Sequence, residues 1–414
     1  MAGILLMAVP AFAAWYQLNS GVTGPLYSVH FPEGTQVGYV VGADMDSLGG
    51  EVGLVIKTTD GGSTWVRQPS GMARPLNSVY FKDNDTGFAV GSAGAAVQTF
   101  DGGATWKSVT VPSSEALTCI QFPENGKVGY IFTHPRNPPS KVLKTIDGGS
   151  SWTAIDVGGP ASVTRGGSMA NDSMGVAVGD DGLVLATRDG FDNTEFQGAR
   201  TNADLVAVAF APDDPDRGYL VGYDSARGII RYTDDFGATP WDSVRCWTVF
   251  AYRGLDMPGT EIAYFVGDSA DKPTIGITVT PTYVYRTLVP GGLRASLSGI
   301  HFPNGVDTGY AVGSGGAILR TNDRGGLVHW VAEADDVAMG RAGIRVLSNP
   351  LRFGITFNSN AEAGVAVYDA LGRVVVKQTA ARGLNFLPLS KSGVYVMKMI
   401  SAGSTATQKF VVQR

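Results

Sequence analysis

With 414 residues, 44% hydrophobic and 17% charged, the chain is too apolar for a disordered acidic protein and long enough for several domains or one repeat array. Its 56 glycines, roughly twice ordinary usage, require many turns, and many turns between short apolar runs point to an all-β fold. The net charge of −5 is modest and Lys and Arg are scattered singly, which excludes a nucleic-acid footprint, while two cysteines exclude a disulfide scaffold.

Residues 1–14 form an apolar run ending in the small-x-small tripeptide Ala11-Phe12-Ala13, the pattern of a cleaved signal peptide. The basic segment that usually opens such a signal is missing, which leaves a start upstream of Met1 open. The run is too short to span a bilayer, so no transmembrane anchor is expected in the mature chain. Next comes Trp15-Tyr-Gln-Leu-Asn-Ser20, which has the phrasing of Trp65-Val-Arg-Gln-Pro-Ser70 although no repeat precedes it.

From Leu26 one sentence recurs seven times. It opens with L-x-small-V-x-F, clear at Leu26–Phe31, Leu76–Phe81, Leu117–Phe122, Leu205–Phe210 and Leu297–Phe302 and weak near Thr164 and Phe250. It continues with G-Y-x-V-G, as at Gly38–Gly42, Gly87–Gly91, Gly218–Gly222 and Gly309–Gly313. It closes with T-x-D-G-G-x-T-W, nearly intact at Thr58–Trp65, Thr99–Trp106 and Thr145–Trp152 and looser at Thr187, Thr233, Thr287 and Thr321. A period of this size, with four short strands in each copy, predicts a seven-bladed β-propeller over residues 15–336.

These closing phrases resemble the Asp-box repeat of sialidase-type and related propellers, and the whole repeat resembles the propellers of photosystem II stability and assembly factors. The resemblance implies a structural box: Asp60, Asp101, Asp147, Asp189, Asp235 and Asp323 accept hydrogen bonds from turn amides, and Trp65, Trp106, Trp152, Trp241 and Trp330 pack between sheets. Propellers commonly close by lending an N-terminal strand to the last blade, so Trp15 and Trp330 compete for one place. Ser28, Ser78, Cys119, Ala207 and Gly299 share one repeat position, where innermost strands converge and only small side chains fit. That gives Cys119 a packing role and leaves it and Cys246 as unpaired thiols.

With the box at the turn between third and fourth strands, the opposite face carries the loops between second and third strands and the blade-to-blade connections. Ligand-binding candidates there are Asp44, Asp46, His134, Arg136, Asp181, Tyr223, Arg227 and Asp268, beside Asp180, Asp224 and Asp271. Arg74, Glu115, Arg200 and Arg294 come from the connections. The longest loops are expected at Ala43–Gly53, His134–Ser140 and Asp268–Gly276. His30 and His301 share a late position on the innermost strand with Tyr80 and Gln121. No ligand spacing there supports a metal, and no cofactor motif is present.

After Asp336 the repeat stops. Residues 343–414 carry alternating strands joined by Gly turns, expected as a small immunoglobulin-like β-sandwich. The order Asn349-Pro350, Tyr368-Asp-Ala-Leu-Gly-Arg373, Ser392-Gly-Val-Tyr395 and Lys409-Phe-Val-Val412 is similar to the C-terminal sorting domain of type IX secretion cargo. The resemblance implies export through the periplasm to the cell surface or medium, handled by type IX machinery.

Two functions remain open on sequence: a non-catalytic scaffold binding an unidentified protein or glycan, and a glycoside hydrolase of sialidase-like or xyloglucanase-like type. The hydrolase needs two carboxyls roughly 5 to 10 Å apart. The chain lacks the Arg-Ile-Pro signature of sialidases, and xyloglucanases use two facing propellers where this chain has one.

Overall fold

A computed structural model describes most of residues 15–325, apart from short gaps of which 247–250 is the longest, and the strands between 345 and 412. The signal peptide expected at residues 1–14, Asp271 and Trp330 lie outside the described residues. The chain divides into two compact units, Met1–Val328 and His329–Arg414.

In the first unit the described residues form seven four-stranded antiparallel sheets. The first is Leu26–His30, Gly38–Met45, Glu51–Thr58 and Val66–Gln68, paired in that order. First strands touch in cyclic order, Leu26–His30, Leu76–Phe81, Ala116–Gln121, Thr164–Met169, Asp204–Ala211, Ala251–Gly259, Leu297–His301 and back to Leu26–His30. Sheets radiating from a closed ring of inner strands are the blades of a β-propeller.

The last blade is completed from the N-terminus. Tyr16–Leu18 pairs antiparallel with Ile318–Thr321, placing Tyr16 opposite Arg320 and Leu18 opposite Ile318. Trp15 is fully buried and meets Phe302 edge-on at 6.0 Å, the geometry of Trp65 on Phe31, Trp106 on Phe81 and Trp152 on Phe122. Trp15 therefore fills the box-tryptophan position of the last blade.

The repeat residues tie neighbouring blades together. The second-strand aromatic of one blade stacks on the first-strand Phe of the next: Tyr39 on Phe81 (3.4 Å), Tyr310 on Phe31 (4.0 Å) and Tyr264 on Phe302 (3.9 Å). The final Gly of G-Y-x-V-G is fixed by close approach, because a Cβ at Gly42, Gly91 or Gly313 would strike the carbonyl of Pro25, Pro75 or Ser296.

Within each box, the Thr58 hydroxyl accepts the Gly62 N–H (2.9 Å) and donates to Asp60 (2.8 Å), and Asp60 accepts both the amide and the hydroxyl of Thr64. Six blades repeat the Thr–Asp pair, at Thr58, Thr99, Thr145, Thr187, Thr233 and Thr321. These hydrogen bonds hold the Asp60, Asp101 and Asp147 carboxyls down at about 2.

Two sequence expectations are corrected. The sixth blade has no box at Thr287: its fourth strand, Tyr283–Arg286, already precedes that residue, and the register equivalent of Thr58 is Thr278, opposite Ala263 as Thr58 is opposite Gly38. The Gly pair that suggested a box belongs to the connection to the last blade. The long loops at Ala43–Gly53 and Asp268–Gly276 are hairpin extensions, with Ala43 opposite Gly53 and Asp268 opposite Pro273. Their polar residues sit on paired strands because backbone pairing continues past the end of the apolar pattern.

In the second unit, Arg345–Val346, Gly354–Ser359 and Gly383–Pro388 form one antiparallel sheet. Val374–Ala380, Ala363–Asp369, Gly393–Ser401 and Ser404–Val412 form another, in that spatial order. Val365, Val367, Tyr395 and Met397 are buried on the inner face of the latter.

Candidate functional site

Each innermost strand enters from the loop face through a register shift that leaves one residue out of the ladder, as between Leu26 and Ser28 or Tyr252 and Gly254. Such a bulge re-aims the extra side chain. The residues so placed are Tyr27, Asn77, Thr118, Arg165, Val206, Arg253 and Ser298; Arg253 is exposed and the other six are half-buried, while the residue two further on, such as Val29 or Val79, is buried.

Two of the seven are arginines, in the fourth and sixth blades. Arg165 is ion-paired with Asp180 and, at 3.0 Å, with Asp204. Arg253 lies 3.3 Å from Asp268, whose second partner is the Ser296 hydroxyl. Tyr223, on the blade between, sits under Arg253 with 5.9 Å from guanidinium to ring centroid. Asp180, Arg165, Asp204, Tyr223, Arg253, Asp268 and Ser296 thus form an arc across four successive blades. Carboxylates fix both guanidinium planes, yet 27% of the Arg165 side chain and 41% of Arg253 remain exposed. The arc can offer bidentate N–H donors, an aromatic edge and carboxylate acceptors to a polar, extended ligand.

At the opposite, box-side end of the same strands a second ring lies two residues after the small position: His30, Tyr80, Gln121, Ser168, Ala209, Asp256 and His301. Its members clasp the next blade. His30 Nδ1 accepts the Phe81 N–H (3.3 Å), Gln121 accepts the Met169 N–H (2.9 Å), Asp256 accepts the Phe302 N–H (2.7 Å), and the Tyr80 hydroxyl donates to the Phe122 carbonyl (2.7 Å). Burial and the neighbouring His301 push His30 well below the ordinary imidazole value, burial raises Asp256, and burial pushes Tyr80 up to about 12. These polar atoms are engaged with backbone, which makes the ring a structural clasp.

Of the sequence candidates, Tyr223 and Asp268 belong to the arc. His134 adjoins it, its Nδ1 2.8 Å from the carbonyl of Thr164. Asp181 lines a cavity of about 520 Å³ beside it, with Ser162, Val163, Asp180, Gly182 and Phe196. Asp44 pairs with Arg67 of its own blade, and Asp46 accepts the Leu48 and Gly50 amides of its own turn. The Arg136 amide bonds Glu115 (3.1 Å), and the Arg227 amide bonds Asp224 (2.8 Å) across its turn. These four are not brought to the arc by any contact recorded among the described residues. Arg165 and Arg253 were missed because blades four and six have the weakest first-strand phrases, and Asp204 because it stands just before the Leu205 that opens the fifth blade's phrase. Aligning all seven strands on the small residue, with Gly166 and Gly254 beside Ser28 and Cys119, would have shown Arg at the variable position before it.

Among the described residues, no cluster of three or more His, Cys, Asp or Glu is placed to hold a metal ion. Cys119 and Cys246 are free thiols, and burial pushes Cys119 up to about 11.

Residues 71–190, from the entrance of the second blade through the fourth box, match the family model of the photosynthesis system II assembly factor YCF48. Residues 348–413 match that of the secretion system C-terminal sorting domain. No curated protein matches by sequence. The fold is similar to that of YCF48 bound to D1 peptide, with 19% identity, a TM-score of 0.58, and coverage of 74% of this chain and 96% of that one. It is similar to YCF48 from Cyanidioschyzon merolae at 16% identity and a TM-score of 0.59, covering 75% and 99%. Virginiamycin B lyase from Staphylococcus aureus is likewise similar at 12% identity and 0.60, covering 74% and 98%. At these identities the likeness establishes the fold alone. The chain is a β-propeller protein with a C-terminal secretion sorting domain, which marks it for export. No helix among the described residues is long and apolar enough to cross a membrane.

Proposed function

We propose that the protein is an exported, non-catalytic binding propeller whose channel-mouth arc takes an extended polypeptide. The observation that carries this reading is the placement of Arg165 and Arg253 at one bulge position on either side of the Tyr223 blade, each oriented by carboxylates and still exposed. Fixed, forked donors suit peptide carbonyls and carboxylates, and a Tyr edge suits an apolar side chain between them. The similar structure recorded for YCF48 holds a D1 peptide, which supports the class of ligand and not its sequence.

A glycoside hydrolase needs one carboxyl kept protonated beside one kept ionised, on the face that holds the sugar. Among the described residues, the carboxyls that burial raises are Asp172 and Asp256, and both sit toward the box face. The loop-face carboxylates Asp180, Asp204 and Asp268 are instead paired with arginine. These pairings support binding over turnover at the arc.

The test is an array of extended peptides, with free and amidated C-termini, probed with the purified chain and with Arg165→Ala/Arg253→Ala. Selective peptide capture lost in the double variant supports the reading. Reproducible glycan hydrolysis abolished by a single loop-face Asp→Ala change overturns it.

A further inference from the structure

The modest net charge conceals an asymmetry. Residues 343–414 carry nine Lys and Arg against two acidic residues, Glu362 and Asp369, a net +7; with −5 for the whole chain, −12 remains on the first 342 residues. The sorting domain is thus a basic module on an acidic protein.

Part of that charge is gathered on one face of its four-stranded sheet. Ala366 pairs with Lys377 on one neighbouring strand and with Lys398 on the other, so the three residues form a row on one face. That face is the outer one, because Val365 and Val367, alternating with Ala366, are buried. Both lysines are exposed, and among the described residues neither is ion-paired. The rows beside them carry exposed aliphatics: Ile400, opposite Gly364, is 51% exposed, and Val374, opposite Tyr368, is 52% exposed. Asp369, the one carboxylate described in this unit, is held by Arg373 at 2.7 Å.

Lysines interleaved with exposed aliphatic side chains on a flat face fit the boundary of an anionic bilayer, where ammonium groups meet headgroup phosphates and short apolar groups enter the acyl boundary. An acidic protein would satisfy the lysines but leaves Ile400 and Val374 without a reason to be exposed. We propose that the Lys377–Ala366–Lys398 face of the sorting domain seats on an anionic lipid surface during export.

The experiment is flotation of the full chain with vesicles of phosphatidylethanolamine and phosphatidylglycerol, with phosphatidylcholine vesicles alongside. The wild-type chain is expected to float with the anionic vesicles at low salt, to be released by high salt, and to ignore phosphatidylcholine. Lys377→Gln/Lys398→Gln is expected to weaken binding about 30-fold, since each lysine near such a surface contributes about fivefold. Lys107→Gln, an exposed lysine on the second blade, is expected to bind as wild type, and circular dichroism of each variant verifies folding. Equal binding to phosphatidylcholine, no binding to anionic vesicles at low salt, or undiminished binding by the folded double variant overturns the proposal. Capture by soluble polyglutamate without vesicle binding does so too, and assigns the face to an acidic protein.

Discussion

His30 and His301 stack 4.8 Å apart, their ring planes within 18°, across the seam where the last blade meets the first. His301 donates from Nε2 to the Phe31 carbonyl (3.2 Å), and its Nδ1 lies 3.7 Å from Asp256. His30 uses Nδ1 to accept from the Phe81 amide, so a proton on that atom must displace the bond. The seam is therefore built for a neutral His30.

A pH dependence follows. The folded-state pKa of His30 lies below its ordinary 6.5, so the unfolded chain takes up a proton first as pH falls. The stability that neutral His30 contributes is full above about 6.5 and declines below it. Asp256, raised in the folded state by burial, works in the opposite sense, because the folded protein binds its proton before the unfolded chain does. Melting temperature measured from pH 7.5 to 5 is expected to fall for the wild type and to fall less for His30→Asn, whose Oδ1 accepts the same amide without titrating near pH 6.

The box threonines are expected to matter more than their exposed sequence neighbours. Thr99 is 1% exposed, accepts the Gly103 amide (2.9 Å) and donates to Asp101 (2.8 Å). Thr99→Val leaves a buried amide unpaired, at a cost of about 1–3 kcal/mol. Chemical denaturation of Thr99→Val and Thr99→Ser separates the effect, since Ser keeps the hydroxyl and should retain most of the stability.

Each box aspartate adds an acid window. The pKa of Asp101 is about 2 in the folded state against 3.8 unfolded, so its contribution is complete above about 4 and lost as pH falls through about 2. Asp101→Asn is expected to melt below the wild type at pH 7, with the gap closing at pH 2.5.

Ring closure rests on the N-terminal strand. Trp15→Ala removes a fully buried indole from the last blade and is expected to destabilise by about 3–5 kcal/mol. Deleting residues 15–18 removes the strand opposite Ile318–Arg320 as well and is expected to expose that edge, seen as concentration-dependent association in sedimentation.

The box turns, the seven sheets and the small inner position could be read from the sequence because each depends on local chemistry repeated at a fixed spacing. The Thr287 box and the loops at Ala43–Gly53 and Asp268–Gly276 were misread where that chemistry thins: without an Asp, only the strand register identifies Thr278. The choice of Trp15 as the closing tryptophan depends on contact between residues about 290 positions apart, which no local pattern encodes. The arc was hidden for a related reason. Its arginines lie at a bulge, where the backbone departs from the alternation that makes strands readable, and in the two blades whose phrases have drifted furthest.

Peptide binding at the arc is tested by calorimetric titration of an array-selected peptide into wild type, Arg253→Ala and Arg253→Lys. Saturable binding to the wild type is expected, with loss of at least tenfold in Arg253→Ala and little recovery in Arg253→Lys, because a lysine cannot restore the forked donors over Tyr223. Equal affinity in all three proteins would contradict it.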